Sequence, residues 1–207
     1  MGLMRDLTEH SPLLFIKTGL PGSTPENFTC ELAETYEAER LSLDAIRLEL
    51  YGNGRASTRN ERARIRQEAD YRAGQLLTGG CNVVYDGNMN RFDGRKRIRN
   101  EIAKPLGAHV ILLAVWTPFT VRRQRLIDRH AMQSEGTADD ERTVDQVLSI
   151  ADKMEHMIQW PSHRERYIGL DGRSTNSQLL DKIASYLGQT LPVAPTSSPA
   201  IVEFSNR

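Results

Sequence analysis

The chain has 207 residues, 39% apolar and 26% charged, and its 27 basic side chains balance its 27 acidic ones. That length and mixture suit one domain with a sizeable core, and the zero net charge gives no global pull toward nucleic acid or an anionic membrane surface. Cys30 and Cys81, the only cysteines, are too few for a disulfide framework or a zinc site, and no stretch nears the roughly 18 apolar residues of a membrane span; a reducing, cytoplasmic setting is expected.

Residues 1–11 carry no apolar run of the secretory kind and read as an N-terminal extension, and residues 191–207, rich in Pro and Ser, read as a flexible tail. One domain is expected over residues 12–190. Its first element is a strand from Leu13 to Thr18, short, continuous and apolar. A helix is expected from Asn27 to Glu39, a brief strand ending near Arg40-Leu41-Ser42, and helices from Leu43 to Tyr51 and from Glu61 to Leu77. Val83 to Asp86 reads as the next strand, Gly94 to Lys104 as a helix, and Val110 to Trp116 as another buried strand. Helices over Thr120 to Met132 and Thr143 to Gln159, a strand over Tyr167 to Leu170 and a helix over Ser177 to Leu187 complete the series. Strand and helix alternate, which predicts an α/β fold with a mostly parallel sheet of about five strands, helices on both faces, and ligands outside the carboxyl ends of the strands.

The segment after the first strand, Gly19-Leu20-Pro21-Gly22-Ser23, opens like a phosphate-binding loop. Such a loop combines backbone N–H groups, a helix N-terminus, a lysine and a hydroxyl to hold a nucleotide's phosphates and its Mg²⁺. Here Thr24-Pro25-Glu26-Asn27 stand where Gly-Lys-Ser/Thr would complete it. Thr24 adds a side chain where the backbone must approach the ligand, and Pro25 removes one N–H. A Glu26 carboxylate about 4 Å from a phosphate oxygen would cost up to ~4 kcal/mol at an effective dielectric near 20. As helix signals the same residues are good, with Thr24 as N-cap, Pro25 at the first helical position and Glu26 complementing the dipole. Lys17, two residues before Gly19, is either a replacement cation or a strand residue with a snorkelling ammonium.

Asp44 begins a helix just after a strand, with Arg47 three residues later on the same face. The pair suits a base and an acceptor-holding cation, or simply a helix-start acid with an ion pair. Asp86, at the end of Val83-Val84-Tyr85, is placed either to order Mg²⁺ or substrate or to form the turn Asp86-Gly87-Asn88. Of Arg122, Arg123, Arg125 and Arg129, not all can face one point, so at least some are solvated, and Arg125 and Arg129 share a face suited to neutralising a phosphoryl group. Arg91, Arg95, Lys96, Arg97 and Arg99 form a second basic cluster, a candidate for nucleic acid or for solvated helix surface. The five histidines show no ligand spacing, so no metal site of protein ligands alone is assigned.

Taken in order, these pieces resemble the zeta-toxin and polynucleotide-kinase-like group of P-loop kinases, over about Leu13 to Leu170. Besides the loop, Leu41-Ser42-Leu43-Asp44-Ala45-Ile46-Arg47, Val83-Val84-Tyr85-Asp86-Gly87-Asn88, Trp116-Thr117-Pro118 with Arg125-Leu126 and Arg129, and Gln159-Trp160-Pro161 before Glu165-Arg166-Tyr167-Ile168 are similar to that group's motifs. The resemblance implies a three-layer P-loop kinase fold with a small lid near residues 130–145 and ATP and Mg²⁺ as cofactors. It implies Asp44, Arg47, Asp86, Arg125 and Arg129 as catalytic residues, and Gly19, Gly22, Ser23 and Lys17 around the nucleotide. The acceptor would be a hydroxyl on a small molecule, sugar or nucleic-acid 5′ end. Against that pattern stands the altered loop. It turns the expectation toward a pseudokinase or weak nucleotide binder, with a protein partner possible, and leaves an active phosphotransferase as the alternative.

Overall fold

The computed structural model describes residues 11–52, 58–136 and 143–190. The expected extension at 1–11 lies almost wholly outside these residues, as do the tail at 191–207 and the centre of the expected lid. Five strands, β1 (Leu13–Thr18), β2 (Ala38–Ser42), β3 (Asn82–Asn88), β4 (His109–Trp116) and β5 (Ile168–Asp171), form one sheet in the order β2-β3-β1-β4-β5. All four pairings are parallel. The central strand β1 opens on the apolar run Leu13-Leu14-Phe15-Ile16, and its alternating side chains feed both faces. Leu14 and Ile16 join Ile65, Ala69, Ala73, Val83, Tyr85 and Ile98 in one core. Phe15 joins Phe28, Leu32, Val84, Leu170, Leu179 and Ile183 in the other.

The first core lies under α2 (Leu43–Tyr51), α3 (Arg59–Thr78) and the segment following α4 (Phe92–Arg97); the second lies under α1 (Phe28–Thr35) and α7 (Asn176–Thr190). The helices α5 (Phe119–Gly136) and α6 (Val144–Glu155) follow β4. Thr58 and Thr143 start α3 and α6 with reciprocal capping boxes, to Glu61 and Gln146, a device that satisfies two orphan N–H groups at once.

Several expected boundaries move, and at three of the helices a local reason is visible. The helix expected from Asn27 begins at Phe28 and stops at Thr35, because Glu37 turns left-handed (φ 47°) and delivers the chain into β2. Thr24 is not its N-cap, Pro25 is not its first residue and Glu26 is not in its first turn: Asn27, at φ 60° and ψ 2°, precedes the helix and caps it with no side-chain bond. Proline disfavours helical backbone in its predecessor, and Asn tolerates the left-handed region better than most residues. The expected helix from Gly94 to Lys104 is α4 continued by a π-turn over Ile98–Ala103 and a 3₁₀ turn over Lys104–Leu106. Finally, α6 ends at Glu155 rather than Gln159, and Gln159 instead donates its N–H to the Asn90 carbonyl and accepts from the Phe92 N–H, both at 2.8 Å.

Candidate functional site

The carboxyl ends of β1, β2 and β3 converge on a cavity of about 810 Å³. Along β3 the register against β1 shifts, with Ile16 opposite Tyr85 but Lys17 opposite Asn88. Asp86 and Gly87 therefore bulge, and a bulge re-aims a side chain at a strand end. Among the residues lining the cavity are Lys17, Gly22, Ser23, Asp44, Asp86 and Arg129. Six residues proposed from the sequence thus come together. Gly19, Arg47 and Arg125 do not line it.

The loop over 19–27 is built on a tight turn: the Ser23 N–H donates to the Leu20 carbonyl at 3.0 Å, with Pro21 and Gly22 between them. Gly22 takes φ 76°, and a Cβ there would lie 2.7 Å from the Arg122 carbonyl oxygen, so the turn needs glycine for conformation and for space. From outside, the loop is fastened at several points. Thr117 Oγ1 donates to the Ser23 carbonyl at 2.6 Å, and Asn176 Nδ2 to the Glu26 carbonyl at 2.9 Å. Arg125 donates to the carbonyls of Gly22, Ser23 and Gly172 at 3.3, 3.4 and 2.8 Å. A Cβ on Gly172 would stand 2.0 Å from the Ser23 oxygen. The Gly19 N–H is taken by Asn90 Oδ1 at 3.0 Å. Arg125, assigned from the sequence to reach over a phosphoryl group, thus holds backbone oxygens of the loop instead, since its helix runs directly against that loop. Burial, then the neighbouring Arg129, pull its pKa below the usual arginine value.

At the opposite wall Asp86 already has partners. Arg40 donates to its Oδ2 from Nε at 2.9 Å and from a terminal nitrogen at 2.5 Å, and Thr29 Oγ1 adds a third bond at 2.9 Å. Neither Arg40 nor Thr29 was proposed from the sequence. The strand register offered a signal for the first. Ser42 lies opposite Asp86, and Arg40, two residues back, is on the same face and within diagonal reach. The Lys17 ammonium makes no hydrogen bond or ion pair with any described residue. Burial lowers its pKa; the Asp86 charge opposes this, and Arg129 and Arg40 reinforce it.

Beneath the ends of β1 and β3 lies a buried pair, Arg95 and Glu165, with 0% and 1% of their side chains exposed and an N–O distance of 2.7 Å. Arg95 also donates to the Met89 carbonyl at 2.9 Å, to which Thr18 Oγ1 donates as well. Burial pushes the Glu165 carboxyl up, but the hydrogen bonds and charges of Arg95 and Arg99 outweigh it and leave it below the usual carboxylate range. Within the basic cluster of 91–99, Arg95 and Arg99 pair with Glu165 and Arg97 with Asp70, whereas Arg91 and Lys96 are exposed. Arg122, outside the pair chosen from the sequence, is buried against the Thr117 carbonyl and Glu155, because the turn after β4 brings its helix across the loop.

The parallel sheet, the loop after its central strand and the helices on both faces define a P-loop kinase-like α/β fold. Residues 14–154 match the AAA domain family, and the chain belongs to that family. Its fold is shared with a protein of Chloroflexus aurantiacus at TM-score 0.65 and 20% identity, covering 88% of this chain and 100% of that one. A sugar kinase from Janibacter aligns at TM-score 0.62 and 16% identity, over 86% of this chain and 95% of that one. The Mycobacterium tuberculosis APS kinase, solved with AMPPNP and APS, aligns at TM-score 0.61 and 16% identity, over 86% and 98%. No curated protein matches the sequence.

Proposed function

We propose that this protein is a P-loop kinase-like protein whose donor-phosphate loop no longer holds ATP and Mg²⁺, while the cavity on the acceptor side is retained. The observation that carries the reading is the state of the loop and of the acid facing it. Pro25 and Glu26 stand where lysine and hydroxyl belong, and the one strand-end acid suited to a metal is held by the guanidinium of Arg40 and the hydroxyl of Thr29. All three bonds fall on Oδ2, so a cation approaching Oδ1 meets a carboxylate whose charge Arg40 already answers. The residues present therefore do not fit a magnesium nucleotide.

Residues 12–190 form the functional unit in this reading, with a lid near 130–145. Within the P-loop kinases, the segments at 41–47 and 83–88 favour the zeta-toxin and polynucleotide-kinase-like group. Asp44 and Arg129 remain at the cavity for a hydroxyl-bearing small molecule, with Arg47 beyond its lining. No helix among the described residues is long and apolar enough to cross a membrane, which agrees with a cytoplasmic setting. A second reading, an active phosphotransferase, is favoured by Lys17, whose ammonium is unpaired among the described residues and lies in the same cavity as Asp44, Asp86 and Arg129.

Titration calorimetry with Mg²⁺ and ATP separates the two. No saturable binding is expected for the natural chain, and replacing Thr24, Pro25, Glu26 and Asn27 by Gly, Lys, Ser and Thr is expected to create it. Micromolar affinity in the natural chain, about −8 kcal/mol, would overturn the first reading in favour of the second.

A further inference from the structure

The cavity is lined by three basic side chains, Lys17, Arg40 and Arg129, and three acidic ones, Glu26, Asp44 and Asp86, but of these acids Asp86 alone is among the charges acting on Lys17. Three charged groups act on Lys17: Asp86, Arg129 and Arg40. Arg40 and Asp86 neutralise each other at 2.5 Å, which leaves Lys17 and Arg129, two cations that line the same cavity, with Arg129 acting on Lys17. Like charges in a partly desolvated corner repel, and the natural relief is an anion placed between them. A tetrahedral dianion accepts from an ammonium and a guanidinium together and matches their two charges, whereas a single carboxylate matches one.

The space above that corner is too large for an ion alone. About 810 Å³ lies within the range of sites that enclose whole small molecules. One wall is polar, with Asp44 exposed at the start of α2. The other is apolar, with Leu126, Val147, Ile150 and Met154 from α5 and α6.

We propose that this cavity binds a small hydroxyl-bearing phosphomonoester, its phosphate seated on Lys17 and Arg129 and its hydroxyls toward Asp44. The seat is the strand β1 floor, separate from the backbone of the loop, and needs no metal. The proposal rests on the reading above that the acceptor side is intact, and it adds the ligand class and the residue that fixes it.

The test is calorimetry on the full chain in the presence of EDTA, with inorganic phosphate, glucose 6-phosphate and adenosine 5′-monophosphate as probes. One of the two esters is expected to bind at least about ten-fold more tightly than inorganic phosphate, and Lys17→Met and Arg129→Gln are each expected to weaken it about ten-fold or more. Preference for the sugar ester or for the nucleotide names the body that the apolar wall accepts. Absence of binding by both esters, inorganic phosphate binding as tightly as they do, or an affinity that neither substitution changes would overturn the proposal. Arg129 is exposed at its helix, so Arg129→Gln keeps the test valid should Lys17→Met fail to fold. ATP with Mg²⁺ is titrated separately: its saturable binding counts against the altered-loop reading, whereas failure of the esters counts against this seat.

Discussion

The two sides of the site are finished differently. On the loop side, backbone oxygens that border the turn are taken by Thr117, Arg125 and Asn176, and Gly172 packs too closely to admit a methyl group. On the β1 side, Lys17 points its charge into a cavity with no bond to any described residue. A folded chain tolerates an unpaired charge only where water or a ligand answers it, whereas a loop bonded along its length behaves as structure. The difference teaches where a ligand belongs: beside the group that the protein has left unanswered.

That contrast can be broken first at its foundation. Replacing Glu165 by Gln leaves Arg95 charged and fully buried, and an expected loss of about 3–5 kcal/mol follows from uncoupling a buried pair; urea denaturation measures it. The carboxylate has a lowered pKa when folded, so its contribution is complete above the unfolded value near 4.5 and is lost as pH falls through the folded one. The Gln variant should therefore show a shallower loss of stability in acid. A smaller effect is expected on the fastened side. Gly172→Ala would put a methyl 1.9 Å from Thr117 Oγ1, forcing a backbone shift worth about 1–3 kcal/mol, read as a lower Tm and faster amide exchange in residues 19–24. If exchange there stays unchanged, the loop is not held from that side.

The smallest effect has the opposite sign. Lys17→Met removes an unpaired, partly desolvated ammonium and is expected to stabilise the protein by about 1 kcal/mol near neutral pH. Because the folded lysine has its pKa lowered from 10.5, the unfolded chain binds more protons between the folded value and 10.5, and the natural protein gains stability as pH rises through that window. The advantage of the Met variant should shrink accordingly. Stabilisation that is absent at neutral pH would mean that Lys17 is already satisfied.

Much of the architecture was legible because period and length decide it. The apolar strand at Leu13–Thr18 and the helix at Leu43–Tyr51 appear with the expected bounds. Cavity-lining residues such as Asp44 and Asp86 were found from their places at strand ends, since an α/β sheet gathers those ends on one rim. What the sequence hid was pairing across distance. Arg95 looks like one member of a basic run, yet its partner is 70 residues away, and nothing local marks it as buried. Arg40 was placed in its brief strand, but its partner Asp86 lies 46 residues on. The late start of α1 was hidden for another reason: Thr24, Pro25 and Glu26 are each good helix openers, and only the left-handed turn at Asn27 decides against them.

That single backbone turn also governs reversibility. A lysine introduced at position 25 alone would not stand at the head of a helix, for α1 opens only at Phe28, and its ammonium would project from an irregular stretch. Asn27 would have to give way to a residue that refuses positive φ, such as a β-branched one, before the helix could wind back toward the strand. The route from this loop to a nucleotide-gripping one thus passes through a change of shape ahead of any change of charge, and single substitutions taken one by one would each meet a chain still folded for the other purpose.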